Sequence, residues 1–176
     1  MPLAVTHILV PIILVDLFRD HILKKKGVIT NKHVLLAGLA GLFPDIDLPI
    51  GHLLMNGVNV HRLYTHNIWF PILFLAFSMF FHSIKKKKTS LYFVMISFGF
   101  LIHLILDASL SGFICPFYPF SNYVFGLNLI PEFFVTFLPS LAHEDFGLLI
   151  FSSMDAVLLF FWLIYLQLKG KIKDYF

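Results

Sequence analysis

Five stretches of this chain are apolar enough to sit in a lipid bilayer, and polar residues collect between them and at their ends. Each stretch predicts a helix. The first covers residues 3–18, with Pro11 as a candidate kink, and continues as helix to Leu23. The second starts near His33 and is stopped by Pro44; it is short for a span, and Gly38 and Gly41 allow a close helix neighbour. The third covers residues 68–84 and ends at Lys85, Lys86, Lys87 and Lys88. The fourth covers 91–110, and the fifth covers 147–167 before Lys169, Lys171 and Lys173. The longer stretches match a hydrocarbon core of roughly 30 Å at ~1.5 Å per helical residue. Residues 111–146 are also apolar but are interrupted by Pro116, Pro119, Pro131 and Pro139. Irregular backbone cannot face lipid with its N–H and C=O groups unpaired. This part is expected at the interface or folded back over the bundle, where its Phe and Tyr suit the headgroup region.

Composition supports the same class. Hydrophobic residues make up 59% of the 176 and charged residues 13%, against about a quarter charged in soluble domains. The expected fold is all-α: an integral membrane helical bundle of about five transmembrane segments plus interfacial or re-entrant helices, one membrane-embedded domain over residues 1–176. Cys115, the single cysteine, excludes an internal disulfide and a CxxC metal site, and reads as inert. The first stretch has no basic n-region and no small-residue cleavage site, and it ends in Arg19, Lys24, Lys25 and Lys26. It reads as a retained transmembrane helix.

The net charge of +3 is modest, and most lysines lie in three clusters beside apolar stretches. That is a topology signal, not a nucleic-acid surface, and no nucleic-acid partner is expected. Placing lysines on the cytoplasmic side puts the 24–32 loop, Lys85 to Lys88 and the C-terminal tail inside. The N-terminus, the 44–67 connection and residues 111–146 then lie outside. His7, Asp45, Asp47, His66, His103 and Asp107 all fall at that outer level of the bundle.

Ionisable groups inside membrane segments are expensive and usually functional, and these are metal-ligand types. His103 and Asp107, four apart, share a helix face and can meet one cation; the plainer reading is an Asp orienting a His. Asp45 and Asp47 follow Pro44, and two carboxylates this close repel without a cation or protons. Turn chemistry accounts well for only one of them. Asp47 is favoured as a direct ligand, with Asp45 a ligand or an outer partner. The run His61-Arg62-Leu63-Tyr64-Thr65-His66 supplies two imidazoles and a guanidinium. Thr65 is a candidate cap for the third helix, and the planar fork of Arg62 suits phosphate, with a headgroup anchor as the plainer role. His7 gains weight only from its depth. His143-Glu144-Asp145 does not continue into HExxH, so a zincin protease is not supported. Asp155 is a candidate outer partner, whereas Asp16, His21, His33, His52 and His82 are expected in surface or interfacial roles.

Thr6-His7, Phe43-Pro44-Asp45-Ile46-Asp47, His61-Arg62-Leu63-Tyr64-Thr65-His66-Asn67, His103-Leu104-Ile105-Leu106-Asp107 and Pro119-Phe120-Ser121 occur in this order. The set resembles the YdjM-like family of membrane-bound metal-dependent hydrolases, also labelled LexA-binding and inner-membrane-associated, over roughly the first two thirds of the chain. That family is similar to zinc-dependent phospholipase C and the single-strand-specific zinc nucleases. The resemblance implies ligands at His7, Asp47, His66 (or His61), His103 and Asp107. Asn67 stands where the family more often has Ser, and the later phospholipase C ligands have no clear counterpart here.

Taken together, the expectation is a metal-dependent hydrolase acting as a phosphoesterase on a lipid or lipid-linked substrate, sited on the extracytoplasmic side of the plasma (inner) membrane. One or two divalent ions, zinc before manganese or iron, lower the pKa of a bound water that attacks phosphorus. Arg62 neutralises charge on the phosphoryl oxygens, and His61 or Asp45 transfers the proton. The alternative is a metal-binding membrane protein without catalysis: a transporter, a sensor or a partner-binding protein.

Overall fold

The computed structural model describes residues 4–23, 27–54, 61–62, 64–110, 112–139 and 144–175. Leu3, Lys24, Lys25, Lys26, Leu63, Ser111 and His143 lie outside the described residues, as do the side chains of Glu144 and Asp145. The described residues are mainly helical, and one antiparallel bridge pairs Ile114 with Phe125.

The helices are α1 (Ala4–Leu17), α2 (Asn31–Ala40), α3 (Asp47–Leu54), α4 (Trp69–Ser83), α5 (Lys87–Leu110), α6 (Leu129–Phe137), α7 (Glu144–Leu168) and α8 (Ile172–Tyr175). A π-helical stretch, Phe18–Leu23, prolongs α1, and a 3-10 turn, Pro44–Ile46, precedes α3. α1 runs through Pro11 without interruption. Two helices, Lys87–Leu110 and Phe146–Leu168, are long and apolar enough to cross a membrane. A third candidate is the pair Asn31–Ala40 and Pro44–Leu53, bent by 47°. Pro44 stops the second stretch as expected, but the chain resumes as helix at Asp47, giving a broken helix in place of one short span. α1 and α4 are shorter, at 14 and 15 residues.

The core lies where α1, α2, α5 and α7 meet, with Leu9, Ile12, Val34, Ala37, Met95 and Leu166 buried together. Glycines set the spacing. A Cβ on Gly99 would stand 2.2 Å from the Ala37 carbonyl, and one on Gly38 2.6 Å from the Ile12 side chain. Small residues at these positions let three helices approach at backbone distance. By contrast α4 and α7 expose large apolar side chains such as Met79, Phe80, Phe160 and Phe161, a surface suited to lipid.

At the opposite end from the metal-ligand types, two groups expected at the surface are buried. Asp16, 2% exposed, accepts from the Tyr175 hydroxyl at 2.7 Å and from Lys171 Nζ at 2.8 Å, and pairs with Arg19. His33 is buried with its ring stacked on Tyr92 at 4.5 Å. Both depend on partners remote in the chain, which bring them inward.

Candidate metal centre

Backbone constraints bring four separate stretches to one point. Proline at position 11 has no N–H for the His7 carbonyl, and Gly41 packs on that carbonyl so closely that a Cβ would lie 2.1 Å from it. The Gly41 carbonyl accepts the His103 Nδ1–H at 2.6 Å. One residue, the C-cap of α2, thus spaces His7 of α1 from His103 of α5, and their rings stack at 3.9 Å. The 3-10 turn after Pro44 delivers Asp45 and Asp47. The 61–66 turn delivers His61, Arg62 and His66, and Arg62 adopts a left-handed φ of 66° to do so, a strain typical of functional sites.

His7, His66, His103 and Asp107 are fully buried, while the side chains of Asp45, His61 and Arg62 retain 18%, 12% and 16% exposure and form the open side. His66 Nε2 and His103 Nε2 stand 3.1 Å apart, and each lies 3.5 Å from Asp45 Oδ1. Asp107 Oδ2 lies 3.5 Å from His66 Nε2 and 3.8 Å from His103 Nε2. Its other oxygen is 3.4 Å from His7 Nε2. Ligand atoms held ~2.1 Å from one cation at tetrahedral angles stand roughly 3.4 Å apart, so the spacing fits a metal shell.

The donor chemistry fits too. His103 gives Nδ1–H to the Gly41 carbonyl; His66 Nδ1 lies 3.1 Å from Thr65 Oγ1, whose own hydrogen goes to Asp47, and 3.2 Å from Asp47 Oδ2, so in the neutral rings both Nε2 atoms are left as lone pairs facing each other. Asp45 Oδ1, both Asp107 oxygens and both His7 nitrogens are buried without a hydrogen bond, and buried polar atoms in that state call for a partner. Three carboxylates face one guanidinium, Arg62, whose Nη2 is 3.0 Å from Asp107 Oδ2. A divalent cation would supply the missing charge. His7, His103 and Asp107 form one potential ligand group, and Asp45, His61 and His66 another.

The two aspartates sit on different sides of the histidines: Asp45 Oδ1 lies on the Nε2 side of His66 and His103, and Asp47 lies on the Nδ1 side of His61 and His66. Asp47 accepts from His61 Nδ1 at 3.0 Å, Thr65 Oγ1 at 2.7 Å and the Arg62 amide at 2.9 Å, besides His66. It orients histidines, and Asp45 reaches the centre. Thr65 serves this network and not the third helix. Asn67 caps α4 instead: its Oδ1 accepts the Trp69 amide at 3.1 Å, while its Nδ2 donates to the Tyr64 carbonyl at 2.6 Å.

Asp155 is not among the converging ligands. It accepts the amides of Val5 at 3.1 Å and Thr6 at 3.0 Å, together with the Thr6 hydroxyl, so α7 caps the first turn of α1 one residue from His7. The 112–128 connection returns to the C-terminal end of α5, where Leu127 N–H meets the Ala108 carbonyl at 2.6 Å. Gly112 (φ +130°) lies so close to the Arg62 guanidinium that a Cβ would be 1.6 Å from Nη1. The contributions of Gly41, Gly112 and Asp155 carry no motif in the sequence.

No curated protein and no solved structure matches the chain. A family model described as YdjM inner membrane protein matches residues 1–173, which takes in the whole site and α7 as well, and the chain belongs to that family.

Proposed function

We propose that the chain is a metal-dependent hydrolase of the inner membrane that cleaves a phosphoester in a lipid or lipid-linked substrate. The observation that carries this reading is the convergence of His66 Nε2, His103 Nε2, Asp45 Oδ1 and Asp107 Oδ2 beside the Arg62 guanidinium. These four side chains would hold a divalent ion, with His7 reaching it or a second ion through the far side of Asp107. The mixed His and carboxylate set favours zinc. When bound, such an ion supplies Lewis acidity and activates water for attack on phosphorus.

The remaining steps belong to the chain. Arg62 exchanges Asp107 for the phosphoryl oxygens of the substrate, two parallel N–H···O contacts that suit its fork. His61, with Nδ1 held 3.0 Å from Asp47 Oδ1, would act through Nε2 as the proton-transfer group, a base held by a carboxylate behind it. Asp45 is a ligand in this reading and not a proton carrier.

The topology follows the charge pattern. Lys87 and Asp107 stand at opposite ends of α5, about 30 Å apart at ~1.5 Å per residue. With lysines on the cytoplasmic side, the site faces the extracytoplasmic side. Five crossings result if α1 with its π-helical extension, the broken α2–α3 pair and α4 each cross beside α5 and α7.

A second reading has one observation in its favour. Complete burial of His7, His66, His103 and Asp107 suits a metal held for structure or sensing in a non-catalytic membrane protein. Mass-spectrometric metal analysis of the detergent-purified chain, with Asp107→Ala as control, tests both. Stoichiometric zinc that is lost in the control, together with release of phosphate from a lipid-phosphate panel that needs Arg62, is the enzyme result. Zinc without such release supports the second reading, and no metal even after reconstitution sinks both.

A further inference from the structure

A second cavity lies at the other end of the bundle from the metal centre. It has a volume of about 1270 Å³ and sits between the π-helical stretch after α1, the first turn of α2, the start of α5 and the C-terminal residues. Its basic lining is Arg19, Lys32, Lys87, Lys88 and Lys171, against two carboxylates, Asp20 and Asp174. Arg19 and Lys171 are engaged with Asp16 and Asp20. Among the described residues no ion pair involves Lys32, Lys87 or Lys88.

The wall of this cavity also carries an unused donor. The Thr30 N–H gives its hydrogen to His33 Nδ1 at 3.1 Å, and the Thr30 hydroxyl lies 2.8 Å from the same nitrogen. Nδ1 is therefore the acceptor, and the proton of the neutral ring sits on Nε2. His33 is 6% exposed, and its Nε2 has no hydrogen-bond partner. Tyr92, stacked on the ring, fixes its plane. The first-turn amides of α2, a helix of 10 residues, lie beside it with the positive end of the helix dipole. Cations, a buried N–H and a helix N-terminus all ask for an anion with several acceptor oxygens.

We propose that this cavity binds a phosphate group, and that Lys32, Lys87, Lys88 and His33 recognise it. Two sources share that chemistry: the headgroup of an anionic phospholipid in the lysine-side leaflet, as basic pockets between membrane helices take, and a free phosphate. The site is independent of the proposed hydrolase centre.

The test uses the full chain in nanodiscs of phosphatidylcholine with and without phosphatidylglycerol. Lipid retained after detergent transfer is counted by native mass spectrometry, and inorganic phosphate is titrated in parallel. Expected is retained phosphatidylglycerol, reduced at least tenfold in Lys87→Gln/Lys88→Gln and in Lys32→Gln, with metal content unchanged. His33→Phe keeps the stack on Tyr92 while removing the Nε2 donor together with the Nδ1 acceptor of the Thr30 amide, and it too should lose retention. Saturable binding of inorganic phosphate without retained lipid, lost in the same variants, supports the site with a free anion as its ligand. Equal retention of both lipids with no phosphate binding, or retention indifferent to all the variants, overturns the proposal.

Discussion

His66 Nε2 and His103 Nε2 face each other at 3.1 Å, with Nδ1 of the first ring turned to Thr65 and Asp47 and Nδ1 of the second to the Gly41 carbonyl. Two acceptors so placed repel unless a proton or a cation lies between them. With Asp45 and Asp107 on either side, a divalent ion would satisfy every one of these atoms at once.

The two aspartates should therefore fail differently. Asp45→Ala removes a ligand and should abolish metal binding, as Asp107→Ala should. Asp47→Ala leaves the ligands in place but frees His66 and His61, and metal affinity should fall by roughly 10–100-fold. Isothermal titration of the apo chain with zinc separates them; equal losses would show that Asp47 is a ligand too.

Gly112→Ala should drive Arg62 out of position, because a Cβ there would lie 1.6 Å from Nη1 and the φ of +130° resists side chains. If Arg62 clamps the phosphoryl group, misplacing it by about 1 Å costs on the order of 100-fold in turnover. Zinc content should not change. A variant with normal turnover removes Arg62 from the proposed chemistry.

Replacing Asp155 by Ala strips the first turn of α1 of its acceptor. The cost should be about 1–2 kcal/mol for a lost cap and unpaired amides, and zinc affinity should fall with it, since His7 follows Thr6. Asn, which keeps one acceptor oxygen, should restore part of both. Thermal unfolding in detergent and zinc titration read the two effects, and an unaltered midpoint in the Ala variant contradicts the capping role.

Some of this was legible in the sequence and some was not. The i, i+4 spacing of His103 and Asp107 placed both on one face because that relation is local to a helix. The roles of Asp45 and Asp47 were not legible, since a 3-10 turn after Pro44 decides which carboxylate swings toward the histidines. Asp155 stood out as a candidate outer partner, but its place as the cap of α1 was not legible, because Thr6 lies 149 positions away. Asp16 and His33 looked interfacial for the same reason: the groups that draw them inward, Tyr175 and Tyr92, are set by packing. The apolar stretches marked the helices closely, with α4 at Trp69–Ser83 inside the expected 68–84 and α5 at Lys87–Leu110 starting a turn before the expected 91. What stretch length could not tell was that the second would break and continue as α3.

Alkali should open the far end of the bundle. Burial pulls Lys171 down, but its contacts with Asp16 and Asp20 outweigh this and hold its pKa above the ordinary value. Burial and Asp16 push Tyr175 up as well. Groups with raised folded-state pKa values contribute fully below their unfolded values, about 10 to 10.5, and the contribution is lost as pH rises through the folded ones. In a Trp69→Phe background, Trp162 emission should report release of Tyr175, 5.5 Å from it, only above pH ~10.5. Release at or below pH ~10 would contradict the shift.

The ligands come from α1, the 3-10 turn, the 61–66 turn and α5, so a cation among them would tie His7 to Asp107 and close every loop in between. It would act as a removable crosslink in a chain whose single cysteine can form no internal one. Such a tie couples metal binding to assembly. Chain made under metal starvation would be left unfastened at the end that holds His7 and Asp107, and its abundance in the cell would then track the supply of the ion.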